Sequence, residues 1–151
     1  MPELPEVETT VKSLNILKNK KVTNLNVYVK KLRYPVPSIR LKRIINSHIT
    51  NLRRISKYVI LDFDNFHTMI VHLGMSGRLK IVTTDRFRDK HDHLSIKFNN
   101  NSYLLYNDPR RFGFIDIVES DRLKDLKYIK KLGIDALDKD FSIDYLFKKV
   151  E

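Results

Sequence analysis

The sequence predicts a mainly β domain with flanking helices: short strands packed as a β-sandwich or barrel-like sheet behind an N-terminal α-helix. Three observations carry this. Apolar residues alternate with a period of two through much of the stretch between Leu25 and Val118. Clusters of Asn, Asp, Gly and Pro interrupt them at short intervals, as turns do. Only the opening and closing segments change to the helical period of about 3.6. At 151 residues the chain has the length of one ordinary domain, and 42% hydrophobic residues are enough to fill a core.

Pro5 to Leu17 reads as a helix, because Val7, Val11, Leu14 and Leu17 fall on one face. Pro5 suits the first helical position, where its missing N–H costs nothing. Glu6 and Glu8 complement the dipole in the first turn, and Lys18 to Lys21 form a polar stop. Leu25, Val27 and Val29 then predict a strand, followed by a stiff link at Tyr34-Pro35-Val36-Pro37. Tyr58 to Phe63 and Thr68 to Leu73 read as two apolar strands about the Asp64-Asn65 turn. Leu79 with Ile81 suggests another.

Thr83 to Lys90 is polar and charged, with only Phe87 apolar, and reads as a loop. Leu94, Ile96 and Phe98 alternate cleanly. The turn Asn99 to Ser102 leads into Tyr103 to Tyr106, and Phe114 to Val118 is the last strand. The total is about seven or eight strands. Helical character resumes at Ser120, with Leu123, Leu126 and Ile129 on one side, and Gly133 interrupts it. A further helix is expected near Ser142, carrying Ile143, Leu146, Phe147 and Val150. It either opens a second domain or packs on the sheet. The expected division is therefore 1–130 for the β domain and 131–151 for a linker with the first helix of another domain.

Lys and Arg number 29 against 18 Asp and Glu, a formal net charge of +11. That excess favours a polyanionic partner, nucleic acid first among them. A solubilising lysine-rich surface is the alternative. Cysteine is absent, which excludes disulfides and any Cys-based zinc site in this chain. No apolar run approaches the roughly 18 residues of a membrane span, and Met1-Pro2-Glu3-Leu4-Pro5-Glu6 lacks the pattern of a secretory signal.

Several segments could carry chemistry. Removal of Met1 would expose the secondary amine of Pro2. An α-amino group titrates at about 7.7–8.0, well below a lysine, so more of it is free to attack an electrophilic carbon near neutral pH. Glu3 could shuttle protons beside it and Glu6 could orient it. The same residues also make ordinary helix-start chemistry. Lys57 precedes an apolar strand, where it can reach a phosphate or simply extend a solvated basic face.

His72-Leu73-Gly74-Met75-Ser76-Gly77 places a Met at the tip of a tight turn. Met75 is either an apolar wedge between stacked bases or a side chain packed inward. Asp108-Pro109-Arg110-Arg111-Phe112-Gly113 offers two guanidinium groups beside a ring, suited to phosphate, base edge and stacking. His91-Asp92-His93 has half the look of a metal site if a strand puts both histidines on one face. A phosphate contact or a structural histidine–aspartate bond is the other reading.

Taken together, Pro2 to Thr9, Lys57, the His72 to Gly77 turn and the Asp108 to Gly113 turn resemble, in order, the motifs of the formamidopyrimidine-DNA glycosylase family. The 8-oxoguanine-excising branch fits better than endonuclease VIII. The resemblance implies an N-terminal catalytic β-sandwich acting on damaged double-stranded DNA in the bacterial cytoplasm, excising oxidised purines and then cutting the strand by β,δ-elimination. It implies that Pro2 is the attacking amine, Glu3 the acid/base, Glu6 a supporting carboxylate and Lys57 a contact to the backbone beside the lesion. Met75, Arg110 and Phe112 would fill the gap left by the flipped nucleotide, with Arg110 facing the orphaned cytosine. His72, His91 and Arg111 would contact phosphates.

The chain departs from the family in length. Full relatives carry a helix–two-turn–helix segment and a four-cysteine zinc finger, which this sequence lacks apart from the helix near Ser142. No metal or cofactor is therefore expected in this chain. The missing half is expected either to come from a separate chain or to leave a weakly active or inactive DNA-binding remnant.

Overall fold

The computed structural model describes residues 4–83 and 89–132. Pro2, Glu3, most of the Thr83 to Lys90 loop, Gly133 and the helix expected from Ser142 lie outside the described residues.

Among the described residues eight strands form two antiparallel four-stranded sheets packed as a sandwich. Helix α1 (Leu4–Ser13) tightens into a 3-10 turn over Leu14–Leu17. Val7, Leu14 and Leu17 point into the core, as their spacing predicts. Strand β1 spans Val22–Val27, so the strand expected to reach Val29 ends earlier; a bulge between Val22 and Asn24 breaks its alternation. Helix α2 (Ser38–Leu41) and a 3-10 turn (Lys42–Ile44) seat Leu41 and Ile44 in the core.

There follow β2 (Ile49–Ile55), β3 (Tyr58–Phe63), β4 (His67–His72) and β5 (Arg78–Val82). After them come β6 (Asp92–Phe98), β7 (Tyr103–Asn107) and β8 (Phe114–Glu119). The first sheet has the order β1-β6-β7-β5 and the second β2-β3-β4-β8. The helical residues after Ser120 are a 3-10 turn (Ser120–Asp125) and a one-turn helix α3 (Lys127–Lys130).

The near-continuous apolar runs of β3 and β4 follow from burial on both faces. Val59, Leu61, Met69 and Val71 face the first sheet and belong to the main core. Ile60 and Ile70 point the other way, into a second cluster with Ile55 that Leu123 and Ile129 cover. The closing helical segment thus exists to roof this outer face. Each such buried side chain contributes about 1.5–3 kcal/mol.

Strand β2 is absent from the sequence reading because its pattern is disguised. A bulge between Ile49 and Asn51 breaks the period of two. Arg53 also occupies a buried position, where it forms an ion pair with Asp62 on β3 (Nε to Oδ2, 2.8 Å). Asp62 accepts a further bond from Thr68 Oγ1 at 2.7 Å, and Thr68 shares one with Ser120 at the roof's start.

Removing one member of such a pair strands a buried charge. Asp62→Leu is expected to lower stability by about 3–5 kcal/mol, read from urea unfolding. Arg53→Met on top of it should recover most of the loss, and a double variant no more stable than the single one would contradict this account.

Candidate nucleic-acid interface

One end of the second sheet collects the residues that the motifs single out, because its strands are in register there. Tyr58 pairs with His72, and His72 pairs with Phe114. Just beyond this row lie three connections. The two-residue turn Ser56-Lys57 closes the β2–β3 hairpin, with Ser56 at a positive φ of 52°. Leu73 to Gly77 leaves β4 for β5, and Asp108 to Gly113 leaves β7 for β8. The last two both cross from one sheet to the other, side by side.

Their backbones touch. Gly74 adopts a φ of +62°, and a side chain there would collide with the backbone of Phe112 and Gly113. A side chain on Gly113 would in turn collide with the Tyr106 hydroxyl and the His72 carbonyl.

The buried carboxylate of Asp108 ties the crossing together. Its Oδ1 accepts from Ser76 Oγ at 2.7 Å and from the Arg111 N–H at 3.1 Å. Its Oδ2 accepts from the Tyr106 hydroxyl at 2.7 Å and from the Gly113 N–H at 2.9 Å. Ser76 Oγ accepts in its turn from the Arg110 N–H at 3.1 Å. The backbone of Asp108 adds two more ties, accepting from His93 Nε2 at 2.8 Å and donating to the His91 carbonyl at 3.0 Å. Burial, then the hydrogen bond to Asp108, push the Tyr106 phenol well above its ordinary range, so it remains a donor.

The side chains presented by this frame point outward. Met75 is 48% exposed and Phe112 44% exposed, which decides against inward packing for Met75. The Arg110 guanidinium lies over the Phe112 ring, 4.9 Å from its centre. Arg111 is exposed at a φ of +59°, held there by its N–H to Asp108. Glu6 of α1 shares a cleft of about 390 Å³ with Met75, Ser76 and Arg78. Helix α1 is steadied on the second sheet by Arg54, whose Nε lies 3.3 Å from Glu8 Oε2.

His72 is buried. Its Nδ1 accepts the Gly74 N–H at 3.1 Å, and its ring stacks on Phe114 with centres 5.3 Å apart. Desolvation, then the positive charges of Arg33 and Lys57, hold its pKa below the ordinary histidine value, while Asp108 opposes them weakly. At neutral pH His72 is therefore an uncharged ring.

His91 and His93 do not share a face. Strand β6 starts only at Asp92, and a bulge between Asp92 and Leu94 spoils the alternation. His93 is buried against Asp108, and His91 sits half-exposed at the same turn. Asp92 is buried as well, accepting from Asn107 Nδ2 at 2.9 Å and from the Asp89 N–H at 2.9 Å. Among the described residues no group of His, Asp and Glu side chains is arranged to hold a metal.

Glu6, Lys57, His72, Met75, His91, Arg110, Arg111 and Phe112 thus come to one end of the sandwich. Pro2 and Glu3 lie outside the described residues. Sequence reasoning missed Asp108, Ser76 and Tyr106 as the frame. The available signal was an Asp opening a turn whose following N–H groups need acceptors.

The family model described as the formamidopyrimidine-DNA glycosylase N-terminal domain matches residues 1–115. The formamidopyrimidine-DNA glycosylase of Acinetobacter baylyi is 40% identical over all of this chain and 54% of its own length. That of Zymomonas mobilis is 42% identical over 99% of this chain and 55% of its own length. Among solved structures, the Lactococcus lactis formamidopyrimidine-DNA glycosylase bound to DNA containing an abasic site aligns with a TM-score of 0.80 at 30% identity. It covers 99% of this chain and 57% of that one. The same enzyme with DNA containing N7-benzyl-Fapy-dG aligns at 0.79. The chain spans about half the length of the curated relatives it matches.

Asp108→Asn replaces an acceptor with a donor facing an N–H or a hydroxyl. It is expected to cost about 2 kcal/mol or more in chemical unfolding and to speed amide exchange at Arg111 and Gly113. Unchanged exchange at both would remove Asp108 from its role. The His72 ring should titrate in NMR with a midpoint below about 6.5. Because the unfolded ring binds its proton first, the stability from a neutral His72 is complete above about pH 6.5 and is lost as pH falls through the folded midpoint.

Proposed function

We propose that this chain, which belongs to the formamidopyrimidine-DNA glycosylase family, is the base-excising domain of a DNA repair glycosylase and lyase that removes oxidised purines. The observation that carries this reading is the convergence, at one end of the sandwich, of the α1 start with Glu6, the Met75 tip and the Arg110–Phe112 tip. The DNA-bound relatives support the choice of damaged duplex as substrate.

A base stacked inside a duplex is out of reach, so the damaged nucleotide has to be extruded. Met75 and Phe112 enter the gap as apolar wedges and hold the duplex open. Arg110, stacked on Phe112, faces the orphaned base and supplies donors to its edge. Lys57, Arg111 and His91 take up backbone phosphates and fix the register. His72 contributes a neutral Nε2–H donor and leaves the positive charge to its neighbours.

The Pro2 amine, freed by removal of Met1, attacks C1′ as the bond to the base breaks. The bonding pair leaves with the base, which takes up the proton that the amine loses. The ring oxygen then leaves C1′ and takes a proton from Glu3, giving an open sugar joined to Pro2 as an iminium. Glu6, on the first turn of α1, supports the amine. The iminium acidifies the C2′ proton. Its loss expels the 3′ phosphate, a second elimination expels the 5′ phosphate, and hydrolysis of the remaining adduct frees Pro2. The formal charge of +11 attracts a polyanion to the protein with strong salt dependence.

Borohydride trapping on duplex DNA containing 8-oxoguanine tests the reading. A covalent adduct is expected that disappears when the Pro2 amine is blocked or Met1 is retained. Met75→Ala with Phe112→Ala should lower the trapping rate by at least about tenfold, with no loss of thermal stability, because the wedges meet the lesion only after unstacking. Binding without any adduct, on protein shown by mass spectrometry to begin at Pro2, would mark the chain as a DNA-binding remnant instead.

A further inference from the structure

The outer face of the second sheet ends in a cavity of about 700 Å³ that shares only His72 with the chemistry above. Its wall is aromatic. The cross-strand row Tyr58, His72 and Phe114 forms the floor, with ring centres 5.2 Å and 5.3 Å apart in sequence. Tyr128 of α3 closes one side at 5.1 Å from Phe114, and Tyr34 of the Pro-rich link stands edge-on to Phe114 at 5.3 Å on the other. Tyr34 is half exposed, with its ring available at the mouth.

The rim is cationic. Among the described residues, Arg33, Arg40, Lys127 and Lys131 line the cavity together with one carboxylate, that of Asp116. That carboxylate is occupied, accepting from the Tyr128 hydroxyl at 2.7 Å and lying 3.7 Å from Arg40 Nη2. Among the described residues, Arg33, Lys127 and Lys131 have no carboxylate at ion-pair distance. The Arg33 guanidinium instead sits over the Tyr34 ring, 5.5 Å from its centre.

We propose that this cavity binds a nucleotide, with the base against the aromatic wall near Tyr34 and the phosphate held by Arg33, Lys127 and Lys131. The size matches ligand sites, which run from about 300 to 1,000 Å³. Stacking on rings combined with cations for the backbone is how proteins hold unpaired nucleotides. A bare phosphate site would not need the ring wall, and an apolar ligand would not match three cations that have no carboxylate partner among the described residues. The occupant is either a free 5′-mononucleotide or the terminal, unpaired nucleotide of a strand. The site does not depend on Pro2 chemistry, so it stands or falls separately from the proposed excision.

Calorimetric titration of the full chain with 2′-deoxyguanosine 5′-monophosphate, deoxyguanosine, inorganic phosphate and a 5′-phosphorylated trinucleotide tests this. Saturable binding of the monophosphate is expected, with nucleoside and phosphate each weaker by at least about tenfold. Tyr34→Ala, and Arg33→Ala with Lys127→Ala, should each weaken it about tenfold or more, whereas Lys18→Ala on another surface should not. All of these residues are exposed, and circular dichroism checks that the variants fold. Tighter binding of the trinucleotide identifies a strand end as the occupant, and equal binding identifies the free nucleotide. No saturable binding, or binding that survives both sets of substitutions, overturns the site.

Discussion

A protein that must push side chains out into solvent and keep them aimed needs a rigid mount for them. Here the mount is the carboxylate of Asp108, placed where the chain crosses twice between the sheets. Its two oxygens take four donors from three segments: the β4–β5 turn, strand β7 and the turn into β8. A buried charge is costly unless it is fully bonded, so the arrangement works only with every donor present. The glycines follow from the same constraint. Two turns that share one carboxylate must lie backbone against backbone, which leaves no room for a side chain at Gly74 or Gly113.

The electrostatics of this end separate two kinds of group. Met75, Phe112, Arg110 and Arg111 are exposed and free to meet a partner. His72, His93 and Tyr106 are buried and hold geometry, and burial keeps the His72 ring and the Tyr106 phenol uncharged. His72 serves both sides of the sheet edge. Its Nδ1 steadies the Met75 turn through Gly74, and its ring forms the floor of the aromatic cavity. A neutral ring is required for the first task, since a protonated Nδ1 could not accept the Gly74 N–H.

Much of this was legible in the sequence. The helix at α1 and strand β6 follow their apolar periods, and β3, β4, β7 and β8 stand out as short apolar runs, because each has one or both faces in a core. The two tips were legible as tight turns from their Gly and Pro residues, whereas the choice between a wedge and an inward-packed Met75 is decided only by its exposure in the fold. What stayed hidden was set by partners distant in sequence. Strand β2 carries Arg53 inside the protein, and nothing local reveals that Asp62 awaits it. The bulge that separates His91 from His93 depends on pairing with β7. Asp108 reads locally as a turn former, and its role appears only when Ser76 and Tyr106 are brought to it. The aromatic cavity is likewise a product of register, since Tyr58, His72 and Phe114 become neighbours only through strand pairing.

The division between frame and tip has a consequence for how such a site can change. Neither Met75 nor Phe112 belongs to either apolar cluster, so altering them removes little buried surface and leaves the fold's stability nearly untouched. Altering Asp108, Gly74 or Gly113 does the opposite, since each is bound to both turns at once. Stability and the proposed recognition thus fall to different residues only a few positions apart in the chain. The aromatic row lies between the two: Tyr58 and Phe114 help bury the outer face yet keep one edge toward the cavity. A substitution there would register in both stability and the proposed nucleotide binding, so it is at the row, rather than at the tips, that the two would constrain each other.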